Sequence, residues 1–270
     1  IRPASEEEKD LPQVLKVEGS TVTLKESSSR TRSLAVDGVY QSDQTQLLDD
    51  LSGRLFAQLK NEGDVHMHVL GATGTGKSRC LFGKDGEEGL IERWADKFYS
   101  QRNMRGHAII DLQIFDVSDE VIYDLLCPGR TGALRFSPTG GPWVDGLSRH
   151  LAGNKEEFSS LLKDALTVKA ASLLRKDDMI SHLCIRCMCS YDAEGGKDPP
   201  AHEGTTTFVE LASSILESQS SDAEEVPSVL RASTALAHMS SNIRVAAAQV
   251  CSSALTYILA DGFCHTSLWL

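Results

Sequence analysis

The run Val65-His66-Met67-His68-Val69-Leu70, followed by Gly71-Ala72-Thr73-Gly74-Thr75-Gly76-Lys77-Ser78, decides the fold. Its first six residues are short, mostly apolar and bounded by Gly63 and Gly71, which reads as a buried strand. The next eight fit G-x-x-x-x-G-K-S/T, a pattern that requires a strand before it. The spacing has a chemical reason. Glycines let the backbone curl until its N–H groups point at phosphate oxygens, and the start of the following helix adds partial positive charge. Lys77 then reaches the β- and γ-phosphates, and the Ser78 hydroxyl ligates Mg2+. The expectation is a nucleotide, ATP or ADP with Mg2+, held by Gly71, Ala72, Thr73, Gly74, Thr75, Gly76, Lys77 and Ser78.

Strands and helices alternate on either side of this loop. Ile1–Arg32 is polar, with an alternating stretch at Ser20–Lys25 that fits an edge strand or small hairpin and an extended piece after it at Ser33–Val36. An amphipathic helix runs from about Asp43 to Lys60, with Leu47, Leu48, Leu51, Leu55, Phe56 and Leu59 at helical spacing. Beyond Ser78 the pattern predicts a helix at Leu90–Gln101, a strand at His107–Phe115 and a short helix at Glu120–Leu126 ended by Cys127-Pro128-Gly129. A Gly- and Pro-rich loop, Gly129–Pro142, leads to a helix near Lys155–Leu174. Strands at His182–Tyr191 and Thr205–Leu211 come next, then helices near Val226–Met239 and Ile243–Leu259, and a last strand at Cys264–Leu270. This order implies an α/β domain with a central sheet and helices on both faces.

With 270 residues, 41% hydrophobic and 24% charged, the chain is long enough for one large core. Seven scattered cysteines, an odd number, argue against a disulfide framework and for a reducing, cytoplasmic setting. No apolar run approaches the ~20 residues that span a bilayer, and no signal peptide opens the chain. The net charge is −11, which disfavours nucleic acid as a partner. The acidity is concentrated: from Ala201 to Leu270 only Arg231 and Arg244 face seven carboxylates.

A phosphate-binding loop of this type also needs a carboxylate at the end of a neighbouring strand to hold the magnesium shell. Glu210, which ends Thr206-Thr207-Phe208-Val209, is the candidate, one methylene longer than the usual Asp. An exposed glutamate at a strand end is the plain alternative. Cys184, Cys187 and Cys189, with His182 nearby, suggest a metal site at first sight. Ligands on alternating faces of one strand cannot converge, so these cysteines read as small buried apolar residues. His66 and His68 share one face and read as core or interface residues, and Glu6-Glu7-Glu8 reads as a solvated face.

At this point the sequence resembles the kinesin motor domain, nearly end to end and in the right order. Arg2-Pro3 is similar to the end of that family's R-x-R-P, which lines the adenine site. Val36-Asp37-Gly38-Val39-Tyr40 with Gln44 resembles F-D-x-V-F…Q, and Leu70–Ser78 resembles Y-G-Q-T-G-S-G-K-T, with the following helix cut short by Gly83. Gly89–Arg93 resembles G-I-I-P-R, and Leu112–Phe115 with Tyr123–Leu126 resembles L-E-I-Y-N…D-L-L. Trp143–Leu147 fits V-x-G-L, Ser253–Thr256 resembles S-K-L-T, and Asp261–Leu268 the closing L-G-G-x-x-x-T. The resemblance implies a three-layer P-loop NTPase fold with a central, mostly parallel sheet. It implies one motor domain over residues 1–270, lacking most of the first strand and the final helix and neck, with microtubules as a partner and a cytoskeletal association.

The departures fall where the family's chemistry lies. Its first switch, N-x-x-S-S-R-S-H, corresponds to Arg175–His182, in which only Ser181 and His182 remain. Its second switch, D-L-A-G-S-E, corresponds to Glu210–Ile215, with Ser213 at the glycine and Ile215 at the glutamate. The family's switch arginine and its glutamate partner are thus Ile180 and Ile215, a paired replacement of the kind that costs little, whereas losing one partner of a buried pair costs about 3–5 kcal/mol. Ser181 and Glu210 are the catalytic candidates left, with Arg2, Pro3 and His182 at the nucleotide. Hydrolysis is expected to be slow or absent, because positioning and electrostatics supply nearly all catalysis of phosphoryl transfer. Gln249–Thr256 has neither the arginine nor the lysine of P-Y-R-D-S-K-L-T, so microtubule binding is expected to be weak. The leading expectation is a nucleotide-binding scaffold or regulated module with protein partners. The alternatives are a microtubule-stimulated ATPase with rebuilt switches and a P-loop NTPase of another lineage.

Overall fold

The computed structural model describes residues 15–25, 31–40, 44–71, 74–100, 107–118, 120–137, 141–173, 181–192, 201–212, 254–258 and 266–269. The chain divides into two compact units, Ile1–Asp50 and Leu51–Leu270. In the first, β1 (Leu15–Glu18), β2 (Thr21–Lys25) and β3 (Thr31–Ala35) form an antiparallel sheet in that order. Gly19, with φ 60°, makes the tight turn between β1 and β2. The expected hairpin and extended piece are therefore both strands of one small sheet. Helix α1 (Gln44–Glu62) follows, with Leu55 and Leu59 fully buried one turn apart.

The second unit is built on a nine-stranded sheet. It contains β4 (Val65–Val69), β7 (His107–Ser118), β8 (Val121–Asp124), β9 (Thr131–Ser137) and β10 (Gly141–Asp145). To these it adds β11 (His150–Ala152), β12 (His182–Asp192), β13 (Ala201–Glu210) and β14 (Thr266–Trp269). The order is β10-β9-β8-β7-β12-β13-β4-β14, with β11 on β7. Among the described residues only β13–β4 and β4–β14 are parallel; the other pairings are antiparallel. The sheet is thus mixed rather than mostly parallel, because β7–β8, β9–β10 and β12–β13 follow one another as antiparallel neighbours rather than through crossover helices.

Two local expectations also change. Glu120–Leu126 is not a helix: Ile122 and Asp124 are buried in alternation with exposed Val121 and half-buried Tyr123, and β8 pairs with β7. Glu120, at φ 66°, makes the turn. The Gly129–Pro142 stretch is not all loop, since β9 occupies its middle and pairs with β10.

The remaining described elements are α2 (Lys77–Phe82), the hairpin β5 (Gly83–Lys84) and β6 (Glu87–Glu88), α3 (Leu90–Ser100), α4 (Lys155–Leu173) and α5 (Ala254–Ile258). Asn154 caps helix α4: its Oδ1 accepts the Glu157 N–H at 2.8 Å, while Glu157 Oε2 reaches back to accept the Gly153 N–H at 2.8 Å. Helices cover both faces of the sheet. Phe115, Cys184 and Val209, on one face, share a buried cluster with Ala254, Leu255 and Ile258 of α5. On the other face Phe208 meets Trp94 of α3 edge to face, with centroids 5.3 Å apart. The helix expected at Val226–Met239 and most of that at Ile243–Leu259 lie outside the described residues.

Candidate nucleotide site

All five residues of β4 are buried, and the strand lies between two parallel neighbours, so its carboxyl end opens at one edge of the sheet with those of β13 and β14. Ligands of α/β sheets bind outside such carboxyl ends. The loop begins there. Gly71 has φ 151°, and a Cβ on it would stand 2.5 Å from Thr75 Oγ1; Gly74 and Gly76 have φ 78° and 95° with open space where a Cβ would go. Side chains would fill that space, and glycine leaves it open.

Lys77 is the first residue of α2, and its Nζ donates to the Gly71 carbonyl oxygen at 2.7 Å across the mouth of the loop. Burial lowers its pKa, and the Glu210 carboxylate opposes that shift. Ser78 donates its hydroxyl to Glu210 Oε1. Glu210 reaches it because β13 and β4 are in register at Glu210 and Val69, with the Leu211 N–H on the Val69 carbonyl at 3.0 Å. The longer side chain thus meets Ser78, the residue expected to ligate magnesium, directly. Helix α2 is six residues long and stops at Gly83, as the sequence pattern indicated.

Ser181 and His182, the residues the sequence compares with the first switch, sit one strand away. Leu183 is in register with Glu210, and His182 Nδ1 accepts the Ala212 N–H at 3.2 Å, which joins the end of the first stretch compared with a switch to the beginning of the second. Ser181 donates its hydroxyl to Asp116 Oδ2 at 2.6 Å and accepts a hydrogen bond from Lys169 Nζ at 2.9 Å. Neither Asp116 nor Lys169 figured in the sequence reading. A carboxylate set in the buried run Ile114-Phe115-Asp116-Val117 was the one signal that could have found Asp116. Arg2, Pro3, Ala72 and Thr73 lie outside the described residues, as do Ile180, Ser213 and Ile215.

Cys184, Cys187 and Cys189 are all buried, and burial pushes the Cys184 thiol up to about 12 and the other two upward as well. Among the described residues no group of three His, Cys, Asp or Glu side chains gathers in a metal-holding arrangement. His66 and His68 stack on one face of β4 with centroids 6.1 Å apart. No described helix is long and apolar enough to cross a membrane.

A family model described as the kinesin motor domain matches residues 1–267. The chain belongs to the kinesin motor-domain family. A P-loop NTPase of another lineage is thereby set aside. The mouse kinesin-like protein KIF14 is 27% identical over 133 residues, 45% of this kinesin chain and 8% of KIF14. Human kinesin-like KIF18B is 32% identical over 130 residues, 40% of this chain and 15% of that protein. The matched stretches are thus small parts of these relatives. A solved structure of KIF14 with ADP in complex with a microtubule covers 100% of this chain, which covers 86% of it, with a TM-score of 0.77 and 20% identity. At that identity the likeness shows the fold: a kinesin-type P-loop NTPase with a central mixed sheet.

Proposed function

We propose that this chain is a single divergent kinesin motor domain that binds ATP or ADP with Mg2+, hydrolyses it slowly or not at all, attaches weakly to microtubules and serves as a non-motile scaffold or regulated module for protein partners. The observation that carries the binding half is the direct Ser78–Glu210 contact beside Lys77 on the Gly71 carbonyl. A metal ligand, its carboxylate and the phosphate-reaching lysine are gathered at one loop whose glycines leave room for phosphate. Gly71–Ser78 would hold the phosphates, Ser78 would ligate Mg2+, and the ion would neutralise charge on the β- and γ-phosphates.

Support for slow hydrolysis is the chemistry of the switch positions. Ile180, Ser213 and Ile215 carry neither the ion pair nor the glycine N–H of the family pattern. Ser181, the hydroxyl that remains, donates its one hydrogen bond to Asp116. The acidic stretch after Ala201 supports weak attachment to an acidic lattice. The KIF14 structures are complexes with a microtubule and ADP or AMP-PNP, which makes both ligands the ones to test. Steady-state ATPase with and without microtubules is the experiment. The reading expects turnover near the blank in both, and clear stimulation by microtubules would replace it with a working motor.

A further inference from the structure

Asp116 lies inside β7, 2% exposed, with buried Phe115 and Val117 on either side. A buried carboxylate is costly unless paired and hydrogen-bonded. Both of its oxygens are engaged: Oδ1 accepts from Lys169 Nζ at 2.6 Å and Oδ2 from Ser181 Oγ at 2.6 Å. Lys169 Nζ also donates to Ser181 Oγ at 2.9 Å, which closes a triangle of three contacts. A serine hydroxyl has one proton to give. Here that proton goes to Asp116, so Ser181 has none for a phosphate oxygen.

The three residues come from three places in the chain. Lys169 lies four residues before the end of α4 at Leu173, and Ser181 is the residue before β12. The network therefore joins the point where the chain leaves α4 to the point where it enters β12, and ties both to β7. From Ser181 the backbone runs straight into His182, which accepts the Ala212 N–H, and Leu183, in register with Glu210. Fixing Ser181 fixes the strand entry that faces the nucleotide site.

We propose that Lys169 and Asp116 are positioning residues for the first switch: they lock Ser181 at the entry to β12 and hold that entry in one pose with or without nucleotide. The proposal rests on the reading of Ser181–His182 as the remnant of that switch in a nucleotide-binding motor domain. It replaces the phosphate-facing role expected for Ser181 with an anchoring one.

The test is amide hydrogen exchange of the whole chain, with and without ADP and Mg2+, beside an ADP titration. The variants are Ser181→Ala, Ser181→Thr and the paired Asp116→Leu/Lys169→Met, which removes both charges together so that no lone buried charge unfolds the domain. In the wild type, exchange over Ser181–Ile185 is expected to be slow and unchanged by ADP. In Ser181→Ala and the paired variant it rises about tenfold or more, the factor that corresponds to ~1.4 kcal/mol. Exchange over Ile110–Ile114 of the same β7 stays as in the wild type, and Ser181→Thr, which keeps the hydroxyl, stays within about twofold. Wild-type exchange over Ser181–Ile185 in Ser181→Ala and the paired variant would overturn the proposal. So would an equal rise over Ile110–Ile114, which marks general destabilisation, or a wild-type segment that ADP strongly protects. A wild type that binds no ADP would sink the nucleotide reading alone, because the ADP-free comparison still decides whether the lock exists.

Discussion

Gly83→Ala is predicted to be far more damaging than Gly86→Ala, although both glycines lie in the same hairpin. Gly83 caps the end of α2 with φ 78° and ψ −173°, a combination that is essentially restricted to glycine. A Cβ there would stand 1.9 Å from the Glu87 carbonyl oxygen and 2.7 Å from the Gly89 nitrogen. Both are backbone atoms, so no side chain can swing aside. The backbone strain is about 1–3 kcal/mol. Opening the Gly83–Glu88 pairing adds about 1 kcal/mol per hydrogen bond lost, for roughly 3–5 kcal/mol in all. Gly86, at φ 89°, has nothing within 4 Å of its Cβ position, so alanine there costs only ~1 kcal/mol. In a unit of this size 1 kcal/mol moves Tm by about 2–4 °C. Thermal unfolding followed by circular dichroism should therefore show a fall of roughly 6–20 °C for Gly83→Ala and about 2–4 °C for Gly86→Ala. Because α2 begins at Lys77, a displaced helix end also moves Lys77 and Ser78, and ADP affinity should fall in Gly83→Ala alone. Equal Tm values for the two variants would refute the reasoning.

Asp124 accepts the N–H groups of Leu126, Cys127 and Ser148 at 2.9, 3.0 and 2.6 Å and the Ser148 hydroxyl at 2.9 Å while almost fully buried. Asp124→Ala should lower stability by about 3–4 kcal/mol in urea unfolding, with Asp124→Asn between it and the wild type, since buried donors left unmade cost about 1–3 kcal/mol each and part of that loss relaxes. Burial, with the nearby His66 charge second, lowers the His68 pKa from 6.5 to about 3. The folded chain then binds fewer protons than the unfolded one between those values. This stability is present in full above pH 6.5 and is lost as the pH falls towards 3, by up to ~5 kcal/mol. Unfolding free energies measured across that window should fall with acid in the wild type and fall less steeply in His68→Leu.

The loop was legible because its signal is local: an apolar strand, three glycines at fixed offsets and Lys77-Ser78 are contiguous, and each has its own backbone or ligand reason. Glu210 was legible by position, at the end of a strand after an apolar run. The direction of the sheet was not. His182–Tyr191 and Thr205–Leu211 were read as consecutive strands, but the alternating order of strands and helices elsewhere was allowed to outweigh what a strand following directly on a strand implies. The β8 segment was misread because Val121-Ile122-Tyr123-Asp124-Leu125-Leu126 suits either period over so few residues, and its pairing with β7 decides it. Strand β9 was hidden by glycine and proline around it, and its Gly132 matters through contact with Val144, which spacing does not reveal. The Lys169–Asp116–Ser181 triangle joins residues 12, 53 and 65 positions apart, a separation no local pattern reports.

This kinesin domain is expected to keep its nucleotide grip at Gly71–Ser78 although Ile180, Ser213 and Ile215 stand where the family pattern has arginine, glycine and glutamate. A fluorescence titration of labelled ATP and ADP in Mg2+, with wild type and Lys77→Ala, tests it most directly. The account predicts saturable binding by the wild type and a loss of about tenfold or more in Lys77→Ala, the weight of a charged hydrogen bond to phosphate. A wild type that binds neither nucleotide, or binds both as Lys77→Ala does, would contradict it.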